Sequence, residues 1–367
     1  MTKILLLIFL ISFAGFNSAA RDYSAKEVHR TIEAIPSEVA KNPEKIASYI
    51  QEHFEKEEVR AYAVYYFVAN ALEYNFEESR RVTINASREK LVEDALRDRV
   101  GVCQHYAELF HAIAKETGFR SVVVTGYTRQ NGEVVEVPHA WNALEINENW
   151  WLFDPTWGSG YMTGNEYKTR YSDEYFKVAP EKMIRTHMPF DPLMQFLEEP
   201  IDHFGFARGD FSETRSKTWD TQKLLKEYFS EDDRTRLSAQ MKRIREHGII
   251  NEMTEKYYNF LRQNFQVHEA NRQIELHNQA IRILNDVVER YNAYAKAKNE
   301  NRGKYPDSKE NTLELLKLLK DRTEFARSIL SKVKPTMKMQ ETYYKNLQII
   351  EDLKKQISKE QDHLLGN

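Results

Sequence analysis

The stretch RVGVCQHYAELFHAIAKETGF, residues 99–119, contains the only cysteine of a 367-residue chain. Cys103 precedes apolar residues at helical spacing, among them Tyr106 and Phe110, and Gly118 then supplies a helix stop. This pattern predicts a helix that begins at the cysteine. The sequence therefore places its single thiol at a helix N-terminus, where unpaired amide groups favour a thiolate.

The overall composition predicts folded domains and gives no sign of a nucleic-acid partner. Hydrophobic residues make up 41% of the chain, and 53 basic residues against 56 acidic ones give a formal net charge of −3. A protein that binds nucleic acid or an acidic membrane surface usually carries a positive excess. The length allows two or more domains of ~150 residues each.

The first twenty residues have the pattern of a cleaved secretory signal. Lys3 precedes an apolar run at residues 4–16, and Ser18 and Ala20 offer a cleavage site. The run is shorter than the ~20 residues of a membrane span, so an uncleaved anchor is the alternative. We expect a secreted or periplasmic protein with no further membrane span. A lone thiol in such a protein suggests a reactive group or an intermolecular disulfide, and the alternative is a small buried hydrophobe.

The sequence predicts an α+β domain at residues 21–218. Residues 22–98 are mostly helical in pattern, with a polar loop at 77–87. After the cysteine helix, three apolar segments are separated by the turn signals Asn131-Gly132 and NEN at 147–149. We therefore expect N-terminal helices packed on an antiparallel meander. An irregular, aromatic segment completes the domain.

Residues 219–367 form a helical C-terminal region in this interpretation. Apolar residues step by three and four positions in three stretches, around 281–291, 315–333 and 343–357. Such stripes predict a helical hairpin or a three-helix bundle. The region is either a structural appendage or a coiled coil that docks a protein partner.

Three polar residues fall on predicted elements that can converge. Cys103 begins a helix, His139 lies on the second strand, and Asp154 ends the third. We expect Ile146 to pair with Trp150, which brings His139 and Asp154 close together. A thiol attacks as a thiolate, an imidazole can take its proton, and a carboxylate can orient that imidazole. Each residue alone has a structural interpretation, so spacing alone leaves both interpretations open.

The combined pattern resembles the transglutaminase-like superfamily. Its parts are Gly-x-Cys opening a helix, His-Ala-Trp-Asn on a strand, and Trp-x-x-Phe-Asp-Pro-Thr-Trp-Gly on the next strand. Downstream, YFKVAPEKMIRTHMPFDPLMQFL at 175–197 resembles the tail of the kyphoscoliosis-peptidase-like branch. The resemblance extends from Glu44 to Leu197 and implies a papain-like thiol fold.

The resemblance also implies roles for particular residues. Cys103 would be the nucleophile, His139 the general base and then acid, and Asp154 the orienting carboxylate, with the Cys103 amide donating to an oxyanion. No tryptophan precedes Trp141, whereas animal transglutaminases have an upstream tryptophan donor, so Tyr74 is the candidate replacement. Three further residues are candidates for lining the oxyanion or substrate site: Gln104, Trp141 and Trp157. We expect no metal and no cofactor.

Three functions remain open from the sequence. The first is a secreted thiol hydrolase that cleaves peptide or amide bonds through a Cys103 thioester. The second is a protein-cross-linking transglutaminase, in which an amine resolves the same thioester. The third is a non-catalytic transglutaminase-like module that binds a partner. Exported context and bacterial relatives favour hydrolysis of a peptide or protein substrate.

Overall fold

The computed structural model describes residues 23–75, 87–163, 166–211 and 218–366. The expected signal at residues 1–20 lies outside the described residues, as does nearly all of the expected loop at 77–87. The chain divides into two compact units. One comprises the described residues of Met1–Phe229 with Lys242–Tyr257, and the other those of Ser230–Met241 with Tyr258–Asn367. The domain boundary expected at residues 218 and 219 stays a prediction.

The first unit begins with helices, as the sequence predicts. In chain order these are α1 (Ala25–Glu33), α2 (Pro43–His53), α3 (Glu57–Ala71), α4 (Arg88–Asp98) and α5 (Cys103–Glu116). The side chains of Ser24, Asn42 and Ser87 accept hydrogen bonds from the first-turn amides of α1, α2 and α4, so these helices start at a capping residue. Helix α3 is buried on nearly every face, which explains why its sequence is apolar all round.

The strands form one main sheet and two short pairs. In chain order they are β1 (Glu73–Tyr74), β2 (Val100–Gly101), β3 (Ser121–Gln130), β4 (Glu133–Ile146), β5 (Asn149–Phe153), β6 (Gly160–Thr163), β7 (Glu166–Thr169) and β8 (His187–Pro189). The main sheet has the antiparallel order β5-β4-β3-β8. Strands β1 and β2 pair in parallel, and β6 and β7 pair antiparallel. The fold is therefore the expected combination of helices with an antiparallel sheet.

Both predicted turns are present and have the backbone that their residues favour. Asn131 and Gly132 have φ of 52° and 87°, and Asn147 and Glu148 have φ of 49° and 63°. Two successive positive φ angles match the right-handed twist of the flanking strands, as in type I′ hairpins. The two turns therefore fix the meander from β3 to β5.

Two expectations about the sheet were wrong. Ile146 pairs with Asn149, not with Trp150, because Asn147 and Glu148 form a two-residue turn. In the observed register Asp154 follows Phe153, the partner of Asn142, so it lies beside Trp141 on the face that also carries His139. The segment expected to be irregular also contributes β8, a fourth strand of the main sheet. A three-residue strand is too short for a periodic signal.

One core lies between the helices and the sheet. Leu109, Phe110 and Ile113 of α5 pack in the same cluster as Leu144 of β4 and Phe153 of β5. Burial of each such side chain contributes about 1.5–3 kcal/mol to stability. Asn142, fully buried, donates from Nδ2 to the carbonyl oxygen of Ala107 at 2.9 Å. These contacts fix the start of α5 against β4.

The chain continues with short elements and then long helices. The short ones are α6 (Pro155–Ser159), α7 (Pro180–Met183), a 3-10 turn (Pro192–Gln195), α8 (His203–Arg208), α9 (Thr221–Ser230) and α10 (Asp233–His247). The long ones are α11 (Glu252–Glu300), α12 (Lys309–Leu330) and α13 (Gln340–Leu365). In the second unit, Leu284, Leu319 and Ile357 belong to one core, so the three predicted stripes meet in a helical bundle. In the described part of the chain, every helix is too short or too polar to cross a bilayer.

A substitution at Gly126 tests how closely β3 pairs with β8. A Cβ at this position would clash with the carbonyl oxygen of Met188 on β8 and with the ring of Trp141. Backbone cannot yield as a flexible side chain does, so we expect Gly126→Ala to lower the free energy of unfolding by about 3 kcal/mol or more. Urea unfolding followed by tryptophan fluorescence measures it. Thr125→Ala on the same strand is the control, and equal stability of the two variants would contradict this packing.

Candidate active site

Cys103 lies at the first position of α5, as the sequence predicts. The residue is 4% exposed and packs with Ala107, Val123 and Ala140. His105, two residues further on, is buried and folds back so that its Nδ1 accepts a hydrogen bond from the Val102 amide at 3.1 Å. The His105 side chain fills the space beside Gly101, where a Cβ would clash with it. The absence of a side chain at Gly101 therefore lets His105 cap the helix.

His139 and Asp154 form a direct pair. His139 Nε2 lies 2.7 Å from Asp154 Oδ2, and the exposed fractions of the two side chains are 10% and 0%. Both residues lie at the end of the sheet where β5 passes into α6. The expected pairing of histidine and carboxylate is therefore present in the structure.

The Asp154 carboxylate accepts hydrogen bonds at both oxygens. Oδ1 accepts from the backbone amides of Thr156 at 2.9 Å and Trp157 at 3.0 Å, which makes Asp154 the N-cap of α6. Oδ2 accepts from His139 and from His187, the latter at 3.1 Å. Burial alone would raise the pKa of Asp154, but the two histidines outweigh it and hold the pKa well below its usual range.

His139 also interacts with the Cys103 sulfur. Burial alone would lower the pKa of His139, but the charge and hydrogen bond of Asp154 outweigh it. With a smaller contribution from a hydrogen bond to Cys103, they raise the pKa to about 10. Because Nε2 faces Asp154, the remaining ring nitrogen is the atom available to the sulfur. Asp154 and Cys103 thus both contribute to the raised pKa of the His139 imidazole.

His187 is a site residue that the sequence analysis missed. It lies on β8 and is 1% exposed. Burial lowers the pKa of His187, and the Asp154 carboxylate opposes that shift only in part. The one available signal was its place in the 175–197 stretch, where it is 33 residues beyond Asp154 with no periodic pattern to connect them.

The other residues that the sequence suggested for the site lie at different distances from the His139–Asp154 pair. Trp141 stacks on His139 with ring centroids 6.0 Å apart, and Trp157 lies 5.8 Å from the same ring. Gln104 is half-buried beside Cys103 on α5. Tyr74 lies on β1, not on the preceding helix, and pairs with Gly101 two residues before the cysteine. The structure thus surrounds His139 with aromatic rings and leaves Gln104 and Tyr74 on the cysteine side.

The ligand-type atoms of His139, Asp154 and His187 all lie within 4.8 Å of one another. Two histidines and a carboxylate are a donor set that zinc accepts. The nitrogen-to-oxygen distances of 2.7 and 3.1 Å are those of hydrogen bonds between the two imidazoles and the carboxylate.

Comparison with known proteins finds similarity over the part of the chain that carries the candidate residues. Residues 44–155, which contain Cys103, His139 and Asp154, match the family model described as the Transglutaminase-like superfamily. The match ends one residue after Asp154, so His187 lies beyond the matched residues.

Curated relatives are similar to part of the chain. The kyphoscoliosis peptidases of Mus musculus and Homo sapiens are 31% and 30% identical over 166 residues. Those residues are 43% of this chain and 24% of each relative, so the similarity spans about a quarter of the relatives' length. The crystal structure of the periplasmic domain of TgpA from Pseudomonas aeruginosa is 22% identical, covers 37% of this chain and 50% of that chain, and gives a TM-score of 0.26.

We expect the His139 imidazole to stay protonated far above its ordinary pKa of 6.5. Proton NMR should show this ring titrating near pH 10, and Asp154→Asn should move the titration below 6.5, because burial then acts without the carboxylate. The free energy of unfolding should depend on the same ionisation of His139. A folded-state pKa above the unfolded value gives stability that is full below pH 6.5 and is lost as pH rises through about 10.

His139→Gln and His111→Gln make a matched pair for this test. Burial lowers the pKa of His111 on α5 to about 4, so its contribution to stability has the opposite sign and is lost as pH falls below 6.5. Urea unfolding across pH 4–10 should therefore show the advantage of wild type over His139→Gln shrinking toward high pH, and over His111→Gln shrinking toward low pH. A His139 titration near 6.5 in the folded protein would contradict the pairing described here.

Proposed function

We propose that this protein is a thiol-dependent acyl-transfer enzyme that hydrolyses peptide or amide bonds, with Cys103, His139 and Asp154 as its catalytic residues. The observation that carries the proposal is the His139–Asp154 hydrogen bond of 2.7 Å, on an imidazole whose raised pKa also has a contribution from Cys103. The names of the curated relatives, which are peptidases, support hydrolysis over other outcomes. The match of residues 44–155 to the transglutaminase-like family model further supports the proposal.

The proposed reaction has two halves. The Cys103 thiolate attacks the carbonyl carbon, and the C–N bond breaks as His139 gives its proton to the leaving amine. A thioester on Cys103 remains. Water then attacks the thioester while His139 takes a proton from it, and the carboxylic acid leaves as the thiolate is restored. Asp154 stays ionised throughout and keeps the imidazole oriented.

The developing oxyanion needs donors near the thiol. The amide of Cys103 at the start of α5 is the nearest backbone donor, and Gln104 and Tyr74 are the side chains on that side of the site. One well-placed donor of this kind contributes about 3 kcal/mol to transition-state stabilisation. Trp141 and Trp157 pack around His139, so we assign them to ring orientation and to the exclusion of water.

We further propose a peptide or protein substrate met outside the cytoplasm. The support is the signal-like pattern of residues 1–20. Cross-linking differs from hydrolysis only in the second half-reaction, where a primary amine replaces water. A non-catalytic binding module would leave the thiol unreactive, and the 4% exposure of Cys103 is the observation in its favour.

Iodoacetamide labelling of Cys103 at pH 7, followed by mass spectrometry, tests the thiol–imidazole pair. An ordinary thiol with a pKa of ~8.5 is about 3% ionised at that pH, so loss of the imidazole should slow labelling by about 30-fold. We therefore expect His139→Ala to slow labelling to this extent and His111→Ala, on the same helix as Cys103, to leave it unchanged. Equal labelling of wild type and His139→Ala would indicate a structural thiol.

Turnover separates the three functions. We expect wild type to cleave members of a fluorogenic peptide library and Cys103→Ala to cleave none. Adding a primary amine should leave the hydrolysis products in place if water is the acceptor, and should replace them with amine adducts if the protein cross-links. Absence of both products, together with labelling of Cys103 no faster than in His139→Ala, would favour the binding module.

A further inference from the structure

Asp154 is shared by two histidines that approach the same oxygen. Oδ2 accepts from His139 Nε2 at 2.7 Å and from His187 Nε2 at 3.1 Å, while Oδ1 is held by two backbone amides. An ionised carboxylate oxygen only accepts, so each imidazole must present an N–H to it. His139 then uses its other nitrogen toward the thiol. His187 faces the carboxylate alone, which raises the question of what it contributes.

The geometry favours a neutral His187. The centroids of the two imidazole rings are 5.6 Å apart, so two imidazolium cations would repel strongly in this buried site. The second ring nitrogen of His187, Nδ1, lies 2.8 Å from the Thr186 hydroxyl. The other acceptor of that hydroxyl, the Met183 carbonyl oxygen, is farther away at 3.3 Å, so the hydroxyl can donate to Nδ1. A neutral ring with its proton on Nε2 therefore satisfies both contacts, and the lowered pKa of His187 agrees with this form.

Packing leaves the His187 ring no room to turn away. Trp157 and Trp141 have their ring centroids 4.5 and 5.0 Å from it, and Tyr175 lies 5.8 Å away. The backbone of His187 is paired with Thr128 in the sheet. Among the described residues, the titratable side chains found against this ring are Asp154, His139 and Tyr175. The aromatic neighbours therefore hold the donor aimed at Oδ2.

We propose that His187 is a positioning residue of this site: a neutral donor that fixes Asp154 Oδ2 and thereby stabilises the imidazolium of His139 beside the Cys103 thiolate. The proposal rests on the function proposed above. Without His187, one oxygen of the carboxylate loses a donor and the carboxylate is free to tilt away from His139. The thiolate–imidazolium pair is then less favoured over the neutral pair, although His187 touches neither the sulfur nor the substrate.

The pH dependence of Cys103 labelling tests this role. We compare wild type with His187→Leu, which removes the donor, and His187→Gln, whose amide can replace the Nε2 donor. We expect the midpoint of the rate–pH curve to rise by about one unit in His187→Leu, and its iodoacetamide labelling to be about tenfold slower than that of wild type at pH values below both midpoints. His187→Gln should keep the wild-type midpoint. A residue that served stability alone would change the melting temperature and leave the midpoint in place.

His203→Leu is the matched control. His203 is also a buried histidine of the first unit and contacts the Tyr127 hydroxyl at 2.7 Å, away from Asp154. We expect its loss to lower the melting temperature without moving the midpoint. An equal shift in His203→Leu would make the effect one of general destabilisation and would overturn the proposal. Should His187→Leu not fold, Thr186→Val weakens the hold on His187 Nδ1 and should raise the midpoint by a smaller amount.

The outcomes separate this proposal from the function on which it rests. If Asp154→Asn moves the midpoint and His187→Leu and Thr186→Val do not, the positioning role is wrong and the catalytic proposal stands. If neither Asp154→Asn nor His139→Ala moves it, the catalytic proposal fails. Each curve is recorded with and without a chelator. A wild-type curve that changes with the chelator would show that the three residues bind a metal, which would also overturn the role given to His187.

Discussion

The buried charge of Asp154 is the constraint on which the rest of the site depends. An ionised carboxylate at 0% exposure is costly by several kcal/mol unless donors replace the water it has lost. Its four donors come from three separate elements: His139 on β4, His187 on β8, and the two first amides of α6. The charge is therefore tolerable only when the sheet order, its register and the start of α6 are all correct.

The same elements place the thiol. Helix α5 packs through its apolar face on the core under β4 and β5, and Asn142 ties the strand to the helix backbone through Ala107. The N-terminal residue of α5 is thereby held close to the imidazole of His139. The arrangement of the candidate site is thus a property of strand–helix packing. In the roles proposed above, Asn142 and His187 would support it without touching the sulfur.

The two histidines of the site, His139 and His187, have different surroundings, and these shift their pKa values in opposite directions. His139 lies between a carboxylate and a sulfur, and its pKa is raised to about 10. His187 has the carboxylate on one side, a hydroxyl on the other and aromatic rings around it, and its pKa is lowered. Similar burial thus gives a cation at one position and a neutral donor at the other, because the second ring nitrogen has a different partner in each case.

The sequence by itself determined the local features of this protein: the helix that begins at Cys103, the two hairpin turns and the three C-terminal helices. It also indicated that His139 and Asp154 are neighbours, although through a register that was wrong by one residue. These follow from periodicity, turn residues and a specific motif, all of which act over a few residues. Tertiary structure alone decided the strand register, the return of β8 to the sheet, the filling of the space beside Gly101 by His105, and the second histidine on Asp154. Register depends on which two-residue turn closes the hairpin, and His187 reaches Asp154 from 33 residues away along a three-residue strand, a contact that long-range packing creates and that no local pattern encodes.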